Sequence, residues 1–210
     1  MFSDKKILLA DDHSVVRRGT GLILKEIFIH TEIIHADSFD AVLLVLTNQQ
    51  IDLLILDINL PGGNTPAMVK KAKMIQPSLG ILIFSAFDEE QYALRYLNSG
   101  ADGYLNKLTS EDKIMTAATS ILQGERYISE KIKEKMLENI YGRTPENPLE
   151  KLSNRELEIV TLYAQGEGNL EIANKLNIQT STVSTYKNRI FDKLGVNNIV
   201  SLVEQYKIYS

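Results

Sequence analysis

The stretch that decides the fold is LLILDINLPGG, residues 53–63. Four apolar residues run directly into a carboxylate, Asp57, and the Leu-Pro-Gly-Gly that follows at 60–63 cannot continue a strand. A short apolar run bounded by turn residues is typical of a fully buried strand. An aspartate at the end of such a strand is costly unless a cation pairs with it. The stretch therefore predicts a buried strand that delivers Asp57 to a compensating partner or to chemistry.

Further apolar runs lie on both sides of this stretch. These runs are KKILLADD, TEIIHAD, LGILIFSAF and ADGYL. The segments in which apolar residues have helical spacing are 14–28, 39–48, 65–76, 88–98 and 110–123. Continuous apolar runs that alternate with helices are typical of buried parallel strands. Because parallel connections are right-handed crossovers, helices should cover both faces. The pattern predicts an α/β domain with a five-stranded, parallel, doubly wound (flavodoxin-like) sheet, in which the second strand lies at an edge.

The pattern changes after residue 128. A charged helix is expected over 129–143, and TPENP at 144–148 has two prolines in five residues, which indicates a linker. Four helices are then expected near 153–165, 169–176, 180–194 and 198–208, with a Ser153–Glu156 capping box at the first. The predicted domains are 1–128, a helical linker 129–148, and an all-α four-helix domain 149–210.

Composition excludes several classes of protein. The 210 residues contain no cysteine, so disulfide frameworks and thiolate metal sites are excluded. No apolar stretch approaches the roughly 20 residues of a membrane span, and the N-terminus becomes acidic too early for a secretion signal. A cytoplasmic protein with no membrane partner is expected. Residues 1–149 carry 16 Lys and Arg against 20 Asp and Glu, whereas residues 150–210 carry 7 against 7. The tail is therefore neutral.

Chemically distinctive side chains follow the predicted strands. Asp11 and Asp12 follow the first, Asp57 the third, Ser85 ends the fourth, and Lys107 follows the fifth. The carboxyl ends of parallel strands meet at one edge, where ligands bind. Carboxylates suit Mg²⁺, a lysine and a hydroxyl suit phosphoryl oxygens, and an ionised aspartate can form an acyl phosphate. Each residue alone could be a cap or a surface charge, but the five together predict phosphoryl transfer to Asp57.

These residues make 1–128 resemble the receiver domain of two-component response regulators. The resemblance implies Asp57 as the phospho-acceptor and Mg²⁺ as the cofactor, with Mn²⁺ as the alternative ion. The implied metal ligands are Asp12 directly, Asp11 partly through water, Asp57, and the backbone carbonyl of Asn59. A haloacid-dehalogenase-type phosphatase is a rival reading, but it needs a second Asp where Asn59 stands.

The same resemblance implies a switch. Ser85 and Lys107 would bind the phosphoryl group, and Tyr104 would turn inward as Ser85 moves toward it. Tyr104 as an ordinary packed aromatic is the alternative. A receiver accepts the phosphoryl group and dephosphorylates itself, so the chain is not expected to be an enzyme that turns over an external substrate.

The tail resembles the LuxR-type helix-turn-helix of the NarL/FixJ response regulators. The resemblance rests on Leu152–Glu156, Glu171–Ala173, Thr182-Val183 and Lys193–Val196. It implies a recognition helix over 180–194 that binds double-stranded DNA. Among the outer residues of this helix, the implied contacts to base edges are made by Ser184, Thr185 and Asn188. The implied contacts to phosphates are made by Lys187, Arg189, Thr182 and Lys193. Gln179 stands where the family usually has a serine cap, so Thr180 is the alternative cap.

Together the two resemblances imply a transcription regulator switched by a cognate histidine kinase that phosphorylates Asp57, with homodimerisation on activation. Val200 and Val203 of the last helix would mediate dimerisation on DNA, or simply pack within the tail. One alternative is constitutive DNA binding with the receiver as a dimerisation scaffold. Another is a tail that is a four-helix interaction module without DNA.

Overall fold

The computed structural model describes residues 5–63, 65–141 and 147–209. The chain divides into two compact units, residues 1–142 and 143–210, and each is described by itself. Within the described ranges, no helix has the length and apolar character needed to cross a bilayer.

The first unit is built on five parallel strands in the order β2-β1-β3-β4-β5. The strands are β1 (Lys6–Ala10), β2 (Glu32–Ala36), β3 (Leu53–Leu56), β4 (Gly80–Ser85) and β5 (Gly103–Asn106). Every residue of β3 and β4 is buried, whereas β2, at the edge, is partly exposed. The predicted parallel sheet and the edge position of the second strand are confirmed.

Helices cover both faces of the sheet, as predicted. They are α1 (Ser14–Ile27), α2 (Phe39–Asn48), α3 (Ala67–Ile75), α4 (Glu89–Leu97) and α5 (Glu111–Leu122). Helices α1 and α5 contact each other, and α2 contacts α3. Alternate strand residues such as Leu9, Ile55 and Phe84 form one core with Leu24 of α1 and Ile114 of α5. Each helix lies within two residues of its predicted range, because apolar periodicity and capping residues fix the ends.

Hydrogen bonds between strands continue beyond the strand ends and fix the residues that follow. The Asp11 N–H donates to the carbonyl of Ala36 over 3.1 Å, and the Asp57 N–H donates to that of Ala10 over 2.8 Å. The Lys107 N–H donates to the carbonyl of Ser85 over 2.8 Å. The sheet therefore sets the backbone positions of Asp11, Asp57 and Lys107 at one edge.

The segment after α5 is attached to the first unit. The Tyr127 N–H donates to the carbonyl of Asp102 over 2.9 Å, and Tyr127 bridges to Gly103 of β5. Helix α6 (Glu130–Tyr141) follows, contacts α4, and buries Ile132 completely. The predicted linker, 129–148, thus begins with a helix packed on this unit, and its residues 142–146 lie outside the described residues. The predicted domain boundaries stay predictions.

The second unit contains the four predicted helices. They are α7 (Asn154–Ala164), α8 (Asn169–Lys175), α9 (Thr180–Leu194) and α10 (Ile199–Tyr209), preceded by an unpredicted 3-10 helix at Pro148–Lys151. The Ser153–Glu156 capping box is present. Gly195 ends α9 with φ 68°, a left-handed conformation that glycine adopts without strain. Asn177, with φ 51°, lies in the turn between α8 and α9.

Candidate functional sites

The lysine that follows β5 lies between two buried carboxylates. The Lys107 ammonium nitrogen lies 2.5 Å from Asp11 Oδ2 and 3.0 Å from Asp57 Oδ2. Their side chains are 14%, 7% and 6% exposed, respectively, so water screens these ion pairs little. The structure therefore brings together the predicted phospho-acceptor, the predicted lysine and one predicted metal ligand.

Burial dominates the ionisation of Asp57. It raises the pKa of this carboxyl, although Lys107 opposes the shift and a backbone N–H, that of Asn59, approaches Asp57 Oδ1 at 3.4 Å. Burial alone would lower the pKa of Lys107, but the carboxylates of Asp11 and Asp57 outweigh it and raise this pKa. The ammonium is thus held in its charged form, while the Asp57 charge is only partly compensated.

A group of possible metal ligands surrounds this pair. Ligand atoms of Asp11, Asp12, His13 and Asp57 all lie within 4.8 Å of one another. Three are carboxylates, the donors that a hard divalent cation prefers, so the residues fit the ion that a receiver holds. Asp12 is exposed, and its Oδ1 lies 2.7 Å from His13 Nδ1. The structure brings Asp11, Asp12 and Asp57 together as predicted.

The two predicted switch residues meet at the backbone of Phe87, in the loop after β4. The Phe87 N–H donates to Ser85 Oγ over 3.1 Å, and the Tyr104 hydroxyl donates to the Phe87 carbonyl over 3.0 Å. Both side chains are buried, and burial raises the pKa of Tyr104. Tyr104 therefore already has the inward orientation that the prediction assigned to the phosphorylated state. The Asn106 side-chain amide also donates to the Phe87 carbonyl, over 3.0 Å.

Arg17 was not predicted as part of this site, and His13 was not predicted as one of its possible ligands. The Arg17 guanidinium donates to the main-chain carbonyl of Asp11, and Arg17 lines a small cavity with Asp11 and Asp57. His13 is the N-cap residue of α1, and its N–H donates to Asp11 Oδ1 over 2.8 Å. The available clue was spacing, because His13 and Arg17 are one helical turn apart directly after the acidic pair.

Helix α9 has the two faces that the sequence predicts. Val183, Ile190 and Leu194 are buried. The opposite face is exposed at Thr185, Asn188, Arg189 and Lys193, and half-buried at Thr182, Ser184 and Lys187. Gln179 precedes the helix without a side-chain capping bond, and Thr180 is the first helical residue. The suggestion that Thr180 replaces the cap is therefore wrong.

Three residues of the predicted DNA-contact set have side-chain partners among the described residues. Lys193 Nζ lies 2.6 Å from Oε2 of the buried Glu156. The Lys187 ammonium lies 6.0 Å from the centre of the Phe191 ring. Ser184 Oγ accepts from the Asn169 side-chain amide over 3.2 Å. Their DNA roles stay predictions, and the Lys193 ammonium is shared with Glu156 in the structure.

Comparison with known families agrees with both parts of the chain. The response regulator receiver domain family matches residues 7–119. The chain belongs to the response regulators. The luxR family of bacterial regulatory proteins matches residues 150–205. This response regulator therefore joins a receiver domain to a LuxR-type DNA-binding domain. A receiver domain implies divalent-metal binding at its acidic pocket, and Asp11, Asp12, His13 and Asp57 form an acidic group that could hold such an ion.

Relatives extend the match over nearly the whole response regulator. The oxygen regulatory protein NreC of Staphylococcus carnosus (strain TM300) is 34% identical over 209 residues, covering 95% of each chain. The RcsB response regulator of Salmonella typhimurium is 26% identical, covers 99% of this chain and 100% of its own, and superposes with a TM-score of 0.59. An RcsB–DNA complex is 25% identical with a TM-score of 0.58, covering 99% of this chain and 100% of its own.

Proposed function

We propose that this response regulator is a transcription regulator switched by transfer of a phosphoryl group from a cognate histidine kinase to Asp57. The observation that supports it most is the buried Asp57 carboxylate, 3.0 Å from the Lys107 ammonium and beside two further aspartates. A buried carboxylate whose charge is only partly compensated is poised to take a metal ion and an electrophile. The reaction and the DNA binding both belong in the cytoplasm.

The residues of the pocket divide the chemistry between them. One Asp57 oxygen attacks the phosphorus, and the histidine nitrogen of the kinase leaves. The Lys107 ammonium and the Ser85 hydroxyl bind the oxygens of the transferred group. Mg²⁺, or Mn²⁺ in its place, would neutralise the remaining phosphoryl charge, held by Asp11, Asp12, Asp57 and the Asn59 carbonyl.

The output is a shift between two populations. Recruitment of Ser85 to the phosphoryl group changes its bond with Phe87, and so alters the loop that Tyr104 also holds. We place homodimerisation downstream of this change, so that two α9 helices bind half-sites about one helical turn apart. The chain acts once per phosphorylation and turns over no external substrate.

Binding to a pool of promoter DNA fragments tests the proposal. The full chain is compared with and without beryllofluoride and Mg²⁺, beside Asp57→Ala and the exposed control Asp112→Ala. Tighter, dimeric, sequence-selective binding on addition of beryllofluoride, lost in Asp57→Ala and kept in Asp112→Ala, supports the switch. Equal binding in every sample contradicts it and favours constitutive binding with the receiver as a dimerisation scaffold.

A further inference from the structure

We propose that Ser184 reads DNA only as a hydrogen-bond acceptor, and that Asn169 is the positioning residue that enforces this. The consequence is a preference for adenine or cytosine, the bases with an amino group in the major groove, at the one position that Ser184 faces. The inference rests on the proposed function, because it requires the outer face of α9 to meet DNA.

A chain of hydrogen bonds links three helices at this point. The Tyr163 hydroxyl of α7 donates to Asn169 Oδ1 of α8 over 2.7 Å. The Asn169 Nδ2 group donates to Ser184 Oγ of α9 over 3.2 Å. The Ser184 hydroxyl donates to the main-chain carbonyl of Thr180 over 3.1 Å. Tyr163 is buried, with 3% of its surface exposed, so the chain begins at a fixed point.

The single hydroxyl hydrogen of Ser184 stays inside the protein for either orientation of the Asn169 amide. With the amide nitrogen toward Ser184, the hydroxyl donates to the Thr180 carbonyl. With the amide reversed, the Asn169 oxygen faces Ser184 and becomes a second internal acceptor, while the Tyr163 hydroxyl accepts from the amide nitrogen. Either way Ser184 offers DNA a lone pair and no hydrogen.

The lone pair of Ser184 can form a hydrogen bond only with a base that has an N–H donor in the major groove. Adenine N6 and cytosine N4 donate into the major groove, whereas guanine O6 and N7 and thymine O4 only accept. Thr185 is the informative neighbour, because its hydroxyl makes the same kind of bond, to the Ser181 carbonyl over 3.0 Å. Among the described residues Thr185 has no side-chain partner on another helix, so its side chain can change rotamer toward DNA without breaking a bond to another helix.

Selection from a randomised duplex library tests the inference on the full chain with beryllofluoride and Mg²⁺. The variants are Ser184→Ala, Asn169→Ala and the matched control Asn174→Ala, an exposed asparagine of α8. Wild type should prefer adenine or cytosine at one position in each half-site. Ser184→Ala and Asn169→Ala should weaken this preference by about three- to tenfold, as for loss of one hydrogen bond, and leave other positions unchanged. Asn174→Ala should keep it.

Base analogues identify the contacting atom. Replacing the preferred adenine by purine, or the preferred cytosine by 2-pyrimidinone, removes only the amino group. Wild-type affinity should then fall by about three- to tenfold, and Ser184→Ala affinity should not change. Tyr163→Phe is the second variant if Asn169→Ala fails to fold, because it removes the first bond of the chain while keeping the ring. It should weaken the same base preference.

The outcomes separate the inference from the proposed function. A wild-type chain that selects no DNA sequence overturns both. A selected sequence that changes in Asn188→Ala but not in Ser184→Ala or Asn169→Ala overturns the inference alone. A preference for guanine or thymine on the strand that Ser184 contacts, unaffected by the amino-group analogues, also overturns it.

Discussion

The ammonium nitrogen of Lys107 lies 3.0 Å from Asp57 Oδ2, and the same ammonium also forms an ion pair with Asp11. One positive charge thus faces two buried carboxylates, with the exposed Asp12 nearby. Burial still raises the pKa of Asp57 in spite of Lys107. The metal-free pocket therefore holds excess negative charge, which opposes folding and favours binding of a cation.

Neutralising the phospho-acceptor should stabilise the metal-free protein. In Asp57→Asn one negative charge is removed, and Lys107 keeps its bond to Asp11. We expect the melting temperature in a chelator to rise by about 2–4 °C, the shift for about 1 kcal/mol in a chain of this size. Added Mg²⁺ should stabilise wild type more than Asp57→Asn. A lower melting temperature for Asp57→Asn in the chelator would show instead that the ion pair makes Asp57 net stabilising.

Removing the lysine should have the opposite effect. In Lys107→Met both buried carboxylates lose their cation, so the metal-free receiver should lose about 3–5 kcal/mol of stability. Chemical unfolding in a chelator measures the loss, and Asp57→Asn in the same chain should restore part of it. The exposed control Lys113→Met should be neutral. A Lys107→Met variant as stable as wild type would contradict the electrostatic account of the pocket.

Tyr104→Phe tests the bond between the predicted switch residue and the loop after β4. The Phe87 carbonyl keeps its bond from Asn106, so the cost in stability should be only about 0.5–1.5 kcal/mol. Phosphorylation of Asp57 by a small phosphodonor should be retained, because the Tyr104 hydroxyl bonds to Phe87 and Ser85 and not to Asp57 or Lys107. The beryllofluoride-dependent gain in DNA affinity should shrink. If Tyr104 is only a packed aromatic, that gain will be the same in Tyr104→Phe.

The sequence predicted the sheet, the helices and the meeting of the pocket residues because these follow from local patterns. Apolar runs marked β3 and β4, and the parallel topology then forced Asp11, Asp57 and Lys107 to one edge. Contacts that depend on side-chain rotamers were not predictable in this way. The inward position of Tyr104 and the Arg17 contact with the Asp11 carbonyl are both of this kind.

Contacts between residues that are far apart in the sequence were the second kind that could not be predicted. Glu156 was predicted as half of a capping box, and that local bond is present. Nothing local indicated that Lys193, 37 residues later, would bind the same carboxylate. The hydrogen bond from Asn169 to Ser184 likewise joins two helices across the turn, so outer-face position alone could not reveal that Ser184 is already engaged.

The second unit should lose stability in acid because of Glu156. Burial raises the pKa of Glu156, but hydrogen bonds from Lys193 and Ser153 outweigh burial and hold it below the ordinary value of 4.5. A carboxyl with a lowered pKa stabilises the fold above its unfolded-state pKa. This contribution is therefore complete above about pH 4.5 and is lost as the pH falls through the folded-state pKa.

Urea unfolding followed by the NMR signals of α7 and α9, between about pH 3 and pH 7, measures this loss. Glu156→Gln should be less stable than wild type at neutral pH and should depend less on pH below 4.5. The matched control is Glu158→Gln, on the same helix, which removes a carboxylate paired with Arg155 and leaves the pair of Glu156 and Lys193 in place. The assignment to Glu156 is wrong if Glu156→Gln and wild type lose stability in parallel.

The salt dependence of DNA binding distinguishes the basic residues of α9. A lysine or arginine that contacts a phosphate adds about one to the slope of log affinity against log salt. Lys187→Ala and Arg189→Ala should each reduce the slope by about one, because neither cation has an acidic partner among the described residues. Filter binding of the beryllofluoride-activated chain to one selected duplex, over a series of salt concentrations, measures it.

Lys193→Ala should behave differently. Its ammonium lies 2.6 Å from the buried Glu156 carboxylate, so a phosphate contact that displaced this ion pair would leave the carboxylate unpaired inside the protein. The variant should therefore lose stability in the second unit and retain the wild-type salt slope. A slope reduced by about one in Lys193→Ala would mean that Lys193 exchanges Glu156 for a DNA phosphate on binding. In that case Glu156→Gln, which frees Lys193 in advance, should increase DNA affinity. If Lys193 only connects α9 to α7, the DNA affinity of Glu156→Gln should decrease.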